Sequence, residues 1–220
     1  MSAHFIAIEG IDGAGTTTQA ARVVARLGAR GVPARGTREP TGGPIGTLIR
    51  QALTGRFVVP GEDGPAAPGW ETMALLFAAD RLDHGQALIA PSLQAGVTVV
   101  TDRYVHSSVA YQSITGGGTD AARDWVKTLN RQARRPDLTI VLDVDPAVAR
   151  ARRLARSDDR ELYDDDALQR QLAAFYADID AQFPGEPIVH VDANRDVPAV
   201  ELDVLNHVRA LRGEAPLSAL

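Results

Sequence analysis

The chain has 220 residues, of which 45% are hydrophobic and 23% charged, values that are ordinary for a globular protein with one substantial core. Its formal net charge of −5 excludes a general nucleic-acid-binding surface, so any phosphate site must use local arginines. It has no cysteine, no signal segment and no apolar run near the ~20 residues that cross a bilayer, so we expect a cytoplasmic protein without disulfides or a membrane partner.

Five short apolar runs alternate with helical patterns along the chain. The runs are Phe5–Glu9, Pro33–Arg38, Val97–Thr101, Leu138–Asp143 and Ile188–Asp192. Strands that are apolar throughout and alternate with helices are typical of a parallel sheet covered on both faces. The sequence therefore predicts an α/β fold, a five-stranded parallel sheet flanked by helices, in a single domain spanning residues 1–220.

Helical periodicity fills most of the chain between these runs. The predicted helices cover Thr17–Arg30, Pro44–Thr54 and Trp70–Ala90, begin at Asp145-Pro146, and include the apolar faces marked by Leu168 and Val200. The third helix is expected to end before Pro91. Residues 56–68 are rich in Gly and Pro and predict an exposed loop, whereas residues 151–166 carry both charge signs without periodicity.

The segment after the first strand has the form of a phosphate-binding loop that lacks its usual lysine. Thr17 stands where the Mg²⁺-binding hydroxyl belongs, and Thr16 stands in place of the lysine. Backbone N–H groups and the amino terminus of the next helix would face an anion there. The residues expected around the phosphates of a nucleotide are Gly10, Ile11, Asp12, Gly13, Ala14, Gly15, Thr16, Thr17 and Thr18. The alternative is a glycine-rich turn that binds nothing.

Charged residues follow two of the other predicted strands. Asp102 and Arg103 come directly after Val97–Thr101, and ligands of open parallel sheets bind beyond the carboxyl ends of the strands. An arginine there can clamp a phosphoryl group, and an aspartate can hold Mg²⁺ or position the acceptor. A structural ion pair is the alternative. Arg38 ends the second strand in the sequence Arg-Glu-Pro, and Arg50 follows on the next helix.

Phe77 and Arg81 lie one helical turn apart, so the ring and the guanidinium share a face. A ring beside a fork of hydrogen-bond donors suits a nucleobase. The alternative is a core phenylalanine next to a surface arginine.

Together these motifs resemble thymidylate kinases over nearly the whole chain. The strings in the order and spacing of that family are IEGIDGAG at Ile8–Gly15, REP at Arg38–Pro40, LFAADR at Leu76–Arg81, DRY at Asp102–Tyr104, AYQ at Ala110–Gln112, LDV at Leu142–Val144 and DRE at Asp159–Glu161. The resemblance implies a P-loop kinase fold, a homodimer, and transfer of the γ-phosphoryl group of ATP to dTMP with Mg²⁺.

The resemblance also implies how the phosphates are held. Asp12 resembles the loop carboxylate that orients the acceptor phosphate and Mg²⁺, for which the other implied ligands are Thr17 and Asp102. Arg38, Arg50 and Arg103 resemble ligands of the dTMP phosphate or its surroundings.

For the nucleoside, Phe77 resembles the ring that stacks on thymine and Arg81 the residue that bonds a thymine carbonyl. Ser108 falls at a position that helps to read the base. Tyr111 resembles the residue under the sugar that disfavours a 2′-hydroxyl.

Residues 150–164 resemble the mobile lid that closes over ATP. Gly13 stands where one branch of the family carries a catalytic arginine, so this chain resembles the branch with that arginine in the lid. The catalytic residues that the resemblance implies are Asp12, Arg103, Arg153, Arg156 and Arg160.

The absent lysine leaves alternatives open. An active dTMP kinase, whose lid arginines supply the missing charge, is the favoured interpretation, because phosphoryl transfer needs mainly positioning and positive charge. The others are a non-catalytic nucleotide-binding homologue and a kinase of another deoxynucleoside monophosphate. A regulatory GTPase is disfavoured because the chain has no Asn-Lys-x-Asp motif.

Overall fold

The computed structural model describes residues 3–62, 64–155, 162–163 and 165–217. Its strands are β1 (Phe5–Glu9), β2 (Ala34–Arg38), β3 (Val59–Gly61), β4 (Gly64–Ala66), β5 (Thr98–Asp102), β6 (Leu138–Asp143) and β7 (Ile188–Asp192). Its helices are α1 (Thr16–Gly28), α2 (Pro44–Leu53), α3 (Trp70–His84), α4 (Ala90–Gln94), α5 (Val105–Thr115), α6 (Asp120–Leu129), α7 (Pro146–Leu154), α8 (Asp166–Ala177), α9 (Ile179–Gln182) and α10 (Val197–Leu211).

Five parallel strands form one sheet in the order β2-β5-β1-β6-β7, and β3 pairs with β4 in a separate antiparallel hairpin. Strands β1 and β5 are buried at every residue, which explains why neither sequence alternates between apolar and charged residues. The predicted α/β fold with a five-stranded parallel sheet is confirmed, and the predicted strand bounds differ from the observed ones by at most one residue.

Successive side chains of β1 enter two different cores. Ile6 and Ile8 pack in the larger cluster, which includes Val23 of α1. Phe5 and Ala7 pack in a smaller cluster. Because successive residues of a strand point to opposite faces, the helices cover the sheet on both sides. Parallel strands also end at a common edge, so the loop after β1 lies beside the residues that follow β5.

The predicted end of the third helix before Pro91 is wrong. A π-helical turn, Gly85–Ile89, joins α3 to α4, and the helical path continues to Gln94. The N–H of Ala90 bonds to the carbonyl of Gly85, so the ordinary i to i−4 pattern is already interrupted at this point. Pro91 therefore lies in the first turn of α4, where a missing N–H is tolerated.

Three other segments differ from the sequence-based expectation. Residues 56–68, expected to form a loop, contain the exposed hairpin of β3 and β4. Helix α7 extends through the start of the stretch expected to lack periodicity, as far as Leu154. Helix α5 was not predicted because eight of its residues in succession are buried, which leaves no polar face, and α6 was also missed.

Candidate active site

The phosphate loop between β1 and α1 depends on glycines in the left-handed backbone region. Gly13 and Gly15 have φ angles of 92° and 101°. Gly15 precedes α1 without a side-chain cap, so the first N–H groups of the helix are left for an anion. A Cβ at position 13 would lie 2.3 Å from the carbonyl oxygen of Ala149 on α7. This backbone therefore excludes a loop arginine at position 13.

Thr17 and Asp102 meet where the ends of β1 and β5 come together. The Thr17 hydroxyl donates to Oδ2 of Asp102, and the other carboxylate oxygen, Oδ1, is buried without a hydrogen-bond partner among the described residues. Asp102 is the partner of Ile8 in the parallel pairing of β1 with β5, so the sheet holds Asp102 next to the start of the phosphate loop. A hydroxyl and an unsatisfied carboxylate oxygen are ligands that suit Mg²⁺, so these residues fit the ion.

Arg103 connects the residues after β5 to the phosphate loop. Its Nη1 donates to the Gly10 carbonyl at 2.7 Å and to the Ser107 hydroxyl at 3.0 Å, and its Nη2 donates to Oδ1 of Asp12 at 2.6 Å. Burial opposes its charge, but Tyr111 and Asp12 raise the pKa of Arg103 well above its usual value. Arg103 also has a positive φ of 68°, a conformation that costs an ordinary residue about 1–2 kcal/mol.

Asp12 is held on both of its carboxylate oxygens. Arg103 takes Oδ1, and Nε2 of Gln169 donates to Oδ2 at 2.9 Å. The Asp12 carbonyl accepts Nη1 of Arg153 at 2.9 Å. Sequence reasoning missed Gln169 as a site residue. The available signal was a polar residue on the buried face of α8, between Leu168 and Leu172.

A pocket of about 590 Å³, open at its mouth, lies next to the Asp12–Arg103 pair. Its walls bring together most of the residues predicted to bind the acceptor, which are Asp12, Phe77, Arg81, Arg103, Ser108 and Tyr111. Other lining residues that sequence reasoning did not identify are Glu39, Pro40, Leu53, Tyr104, Ser107, Gln112 and Tyr163.

Arg81 is a buried arginine fixed at the wall of this pocket, with 1% of its side chain exposed. Its Nη2 lies 2.6 Å from Oε2 of Glu39 and donates to the Ser108 hydroxyl at 2.9 Å and to the Tyr104 carbonyl at 3.1 Å. Its Nη1 donates to Asn130. The alternative of a surface arginine is therefore wrong. Phe77 is partly buried and lines the same pocket.

Known proteins resemble this chain over nearly all of its length. The family model described as thymidylate kinase matches residues 8–204. A probable thymidylate kinase of Pyrobaculum calidifontis is 41% identical over 202 residues, which cover 91% of this chain and 93% of that protein. A thymidylate kinase of Bifidobacterium longum is 38% identical over 217 residues, which cover 96% of this chain and 100% of that protein.

The chain belongs to the thymidylate kinase family. The resemblance drawn from its motifs is thus confirmed. No helix in the described part of this thymidylate kinase family member has the length and apolar character needed to span a bilayer.

In this thymidylate kinase family member, Arg38 and Arg50 lie outside the lining of the acceptor pocket. Arg50 donates to the carbonyls of Pro40 and Thr41, at 2.8 Å from the first, while Arg38 is exposed. Burial and then the charge of Arg38 lower the pKa of Arg50. Two like charges near each other favour an anion between or beside them.

Where thymidylate kinases usually carry the loop lysine, the Thr16 side chain is buried, with 6% exposed. Among the predicted lid arginines, Arg153 lies on α7 with 10% of its side chain exposed, and its Nη2 is 3.2 Å from Asp166. Arg156 and Arg160 lie outside the described residues. A second pocket borders the loop on its other side and is lined by residues that include Gly15, Thr18, Arg152 and Arg195.

Proposed function

We propose that this protein transfers the γ-phosphoryl group of ATP to dTMP, forming dTDP and ADP, with Mg²⁺ bound. The observation that carries the proposal is the contact between Asp12 and Arg103. Asp12 belongs to the phosphate loop, and Arg103 lines the pocket beside it. A donor phosphate on the loop and an acceptor in the pocket would therefore meet at this pair, and phosphoryl transfer requires such proximity.

The pocket has the chemistry of a pyrimidine nucleoside site. Phe77 offers a ring face for stacking, and Arg81 is held in place by buried partners beside Ser108. Tyr111 is buried, and the guanidinium carbon of Arg103 lies 5.2 Å from the centre of its ring. In this position the Tyr111 ring would meet the sugar edge of the nucleotide. Burial raises the pKa of Tyr111, so its hydroxyl stays neutral at physiological pH.

Arg103 would bind the acceptor phosphate directly, with Arg38 and Arg50 supplying further positive charge nearby. We assign Mg²⁺ to Thr17 and Asp102, with Asp12 next to the acceptor phosphate. Thr17 and Asp102 would hold the ion, which when bound would supply positive charge beside the phosphates of ATP. Among the described residues, no group of three His, Cys, Asp or Glu side chains is placed to hold a metal ion.

Arg153 is our candidate for the charge that the loop lysine would otherwise provide. Its Nη1 already reaches the loop at the Asp12 carbonyl, and its Nη2 faces Asp166. Exchange of Asp166 for a phosphate oxygen would bring a guanidinium to the transferred group. An Arg153→Ala variant is expected to lose kcat while its Kd for dTMP stays within about twofold, and Arg170→Ala on the exposed face of α8 is the control.

The test of the function is ADP release coupled to NADH oxidation, measured with ATP, Mg²⁺ and each of dTMP, dUMP and dCMP. We expect the highest kcat/KM with dTMP. A higher value with dUMP or dCMP would support a kinase of another deoxynucleotide. Binding of dTMP by calorimetry without ADP release would support a non-catalytic homologue, and both outcomes would contradict the proposal.

We also propose that the protein forms a homodimer through the outer face of α3. Leu75 and Leu82, two turns apart on this helix, are 52% and 37% exposed. Light scattering should give the mass of a monomer for a Leu75→Glu, Leu82→Glu double variant. The Leu154→Glu variant, also changed at an exposed leucine, should keep the mass of the wild-type dimer. A monomeric wild type at micromolar concentration would contradict this assignment.

A further inference from the structure

Gln169 is a buried amide that contacts the phosphate loop from a distant part of the chain. It is 1% exposed, and its Oε1 accepts the backbone N–H of Asp12 at 3.1 Å. Its Nε2 donates to Oδ2 of Asp12 at 2.9 Å and to the carbonyl of Tyr163 at 2.8 Å.

The two contacts with Asp12 require both halves of a carboxamide. One oxygen must accept from the backbone, and one N–H₂ group must donate to the carboxylate. A glutamate could make the first contact, but it would direct a second oxygen toward Oδ2 of Asp12. A leucine would make neither contact and would leave buried polar groups without partners.

The carboxylate of Asp12 lies between Gln169 and Arg103, and each takes one of its oxygens. Without the amide, Oδ2 would be free to turn toward Arg103, and carboxylates and arginines prefer to pair through both oxygens. In such a pair, both carboxylate oxygens of Asp12 would accept hydrogen bonds from the guanidinium of Arg103. Less of its charge would then be available to a phosphate.

We infer that Gln169 is a positioning residue, which holds Asp12 so that Arg103 keeps one face for the acceptor phosphate. The inference rests on the proposed function of the Asp12–Arg103 pair. The same amide also holds Tyr163, whose ring packs edge-on against Tyr111 at 5.3 Å. One side chain therefore sets both the phosphate end and the sugar side of the pocket.

The test compares Gln169→Glu with Gln171→Glu. Both substitutions add one negative charge to α8, but Gln171 is exposed and lies two positions from the buried Gln169, on the other side of the helix. We expect Gln169→Glu to lower kcat by about 10- to 100-fold, less than the roughly 100- to 1,000-fold cost of removing a direct electrostatic donor, with the KM for ATP within twofold. Gln171→Glu should retain the wild-type values. A kcat of Gln169→Glu within twofold of wild type would overturn the inference.

A double-mutant cycle separates positioning from a general effect on the fold. The Kd of dTMP is measured by calorimetry for Gln169→Glu, Asp12→Ala and the double variant. As a single substitution, Gln169→Glu should raise the Kd of dTMP about tenfold. In the Asp12→Ala background this increase should be at least threefold smaller, because the carboxylate through which Gln169 acts is gone. Full additivity would show that Gln169 does not act through Asp12.

This readout also distinguishes the inference from the proposed function. Wild-type turnover of dTMP tests the function, whereas the ratio of variant to wild type tests Gln169 on whichever deoxynucleoside monophosphate is preferred. If the wild type binds dTMP without turnover, the function fails and the calorimetric cycle still decides the inference. Gln169→Leu, with thermal unfolding followed, measures how much of the effect is lost stability.

Discussion

The carboxylate of Glu39 lies 2.6 Å from Nη2 of Arg81, and both side chains are at least 98% buried. His84 closes the other side of the same carboxylate at 3.0 Å. The residue assigned to the base is therefore held from behind by charge rather than by packing alone. Arg81 also donates to Ser108, to Asn130 and to the carbonyl of Tyr104.

Removing the Glu39 charge should destabilise the protein. Glu39→Gln leaves the buried Arg81 without a counter-charge, and breaking a buried pair typically costs about 3–5 kcal/mol. Urea unfolding measures this loss. Asp120→Asn is the control, because Asp120 pairs with Arg123 but is 91% exposed, and such pairs contribute about 0–1 kcal/mol. Equal effects of the two substitutions would contradict a buried ion pair at Arg81.

Phe77→Ala should raise the KM for dTMP far more than the KM for ATP, since the ring lines the acceptor pocket. Initial rates at varied dTMP and varied ATP measure the two values. Phe57→Ala removes a ring from the same apolar cluster outside the pocket lining, so it controls for lost packing. A similar rise for both substrates would return Phe77 to a purely structural role.

Tyr111→Ala should narrow the preference for dTMP over its ribose counterpart. The Tyr111 ring is fixed between Arg103 and Tyr163, so it presents a rigid surface to the sugar edge. Steric discrimination of this kind is modest, about 10- to 200-fold. The ratio of kcat/KM for the two nucleotides measures it, with Tyr111→Phe keeping the ring as control. An unchanged ratio in Tyr111→Ala would refute the role.

Thr16→Lys restores the usual loop charge and should raise kcat by about 10- to 1,000-fold. Threonine is too short to reach the β and γ oxygens, whereas lysine at the start of α1 would point at them. Steady-state kcat at saturating ATP and dTMP is the measurement, with Ala25→Lys, at an exposed position of α1, as a control for added charge. A fall in kcat would mean that a guanidinium such as that of Arg153 already occupies this space.

Because of His190, the free energy of unfolding should depend on pH from about 6.5 up to the raised pKa that this residue has in the folded protein. Burial opposes its charge, but hydrogen bonds to Asp143 and Asp180 outweigh that effect and raise the pKa of His190. A raised pKa stabilises the fold below about pH 6.5, and that contribution is lost as pH rises through the folded-state pKa. Unfolding free energies of wild type and His190→Gln should therefore converge toward alkaline pH. A constant difference would contradict this.

The parts of the site that the sequence could predict are those whose signals are local. The phosphate loop, the residues after β5 and the spacing of Phe77 and Arg81 each lie within a few positions of one another. Gln169 stands 157 positions from Asp12, and only the packing of α8 brings them together. No periodicity or motif length reaches across that distance, so the residue could be identified only in three dimensions.

Secondary structure failed where burial removed the pattern. α5 carries Ser108 and Tyr111, but its nearly continuous burial gives neither a helical face nor an alternation. The prediction that the third helix ends before Pro91 failed for a different reason. A proline ends an ordinary α-helix because its missing N–H breaks the i to i−4 pattern, but the π-helical turn before Pro91 has already interrupted that pattern.

The close approach of Gly13 to the carbonyl of Ala149 means that substitutions at these two distant positions cannot be independent. Ala149 lies one helical turn before Arg153, so a side chain gained at position 13 must displace the backbone that presents this arginine. A relative that carries an arginine at position 13 must therefore have a different backbone path in this part of α7. Sequences of relatives should therefore show positions 13 and 149–153 changing together.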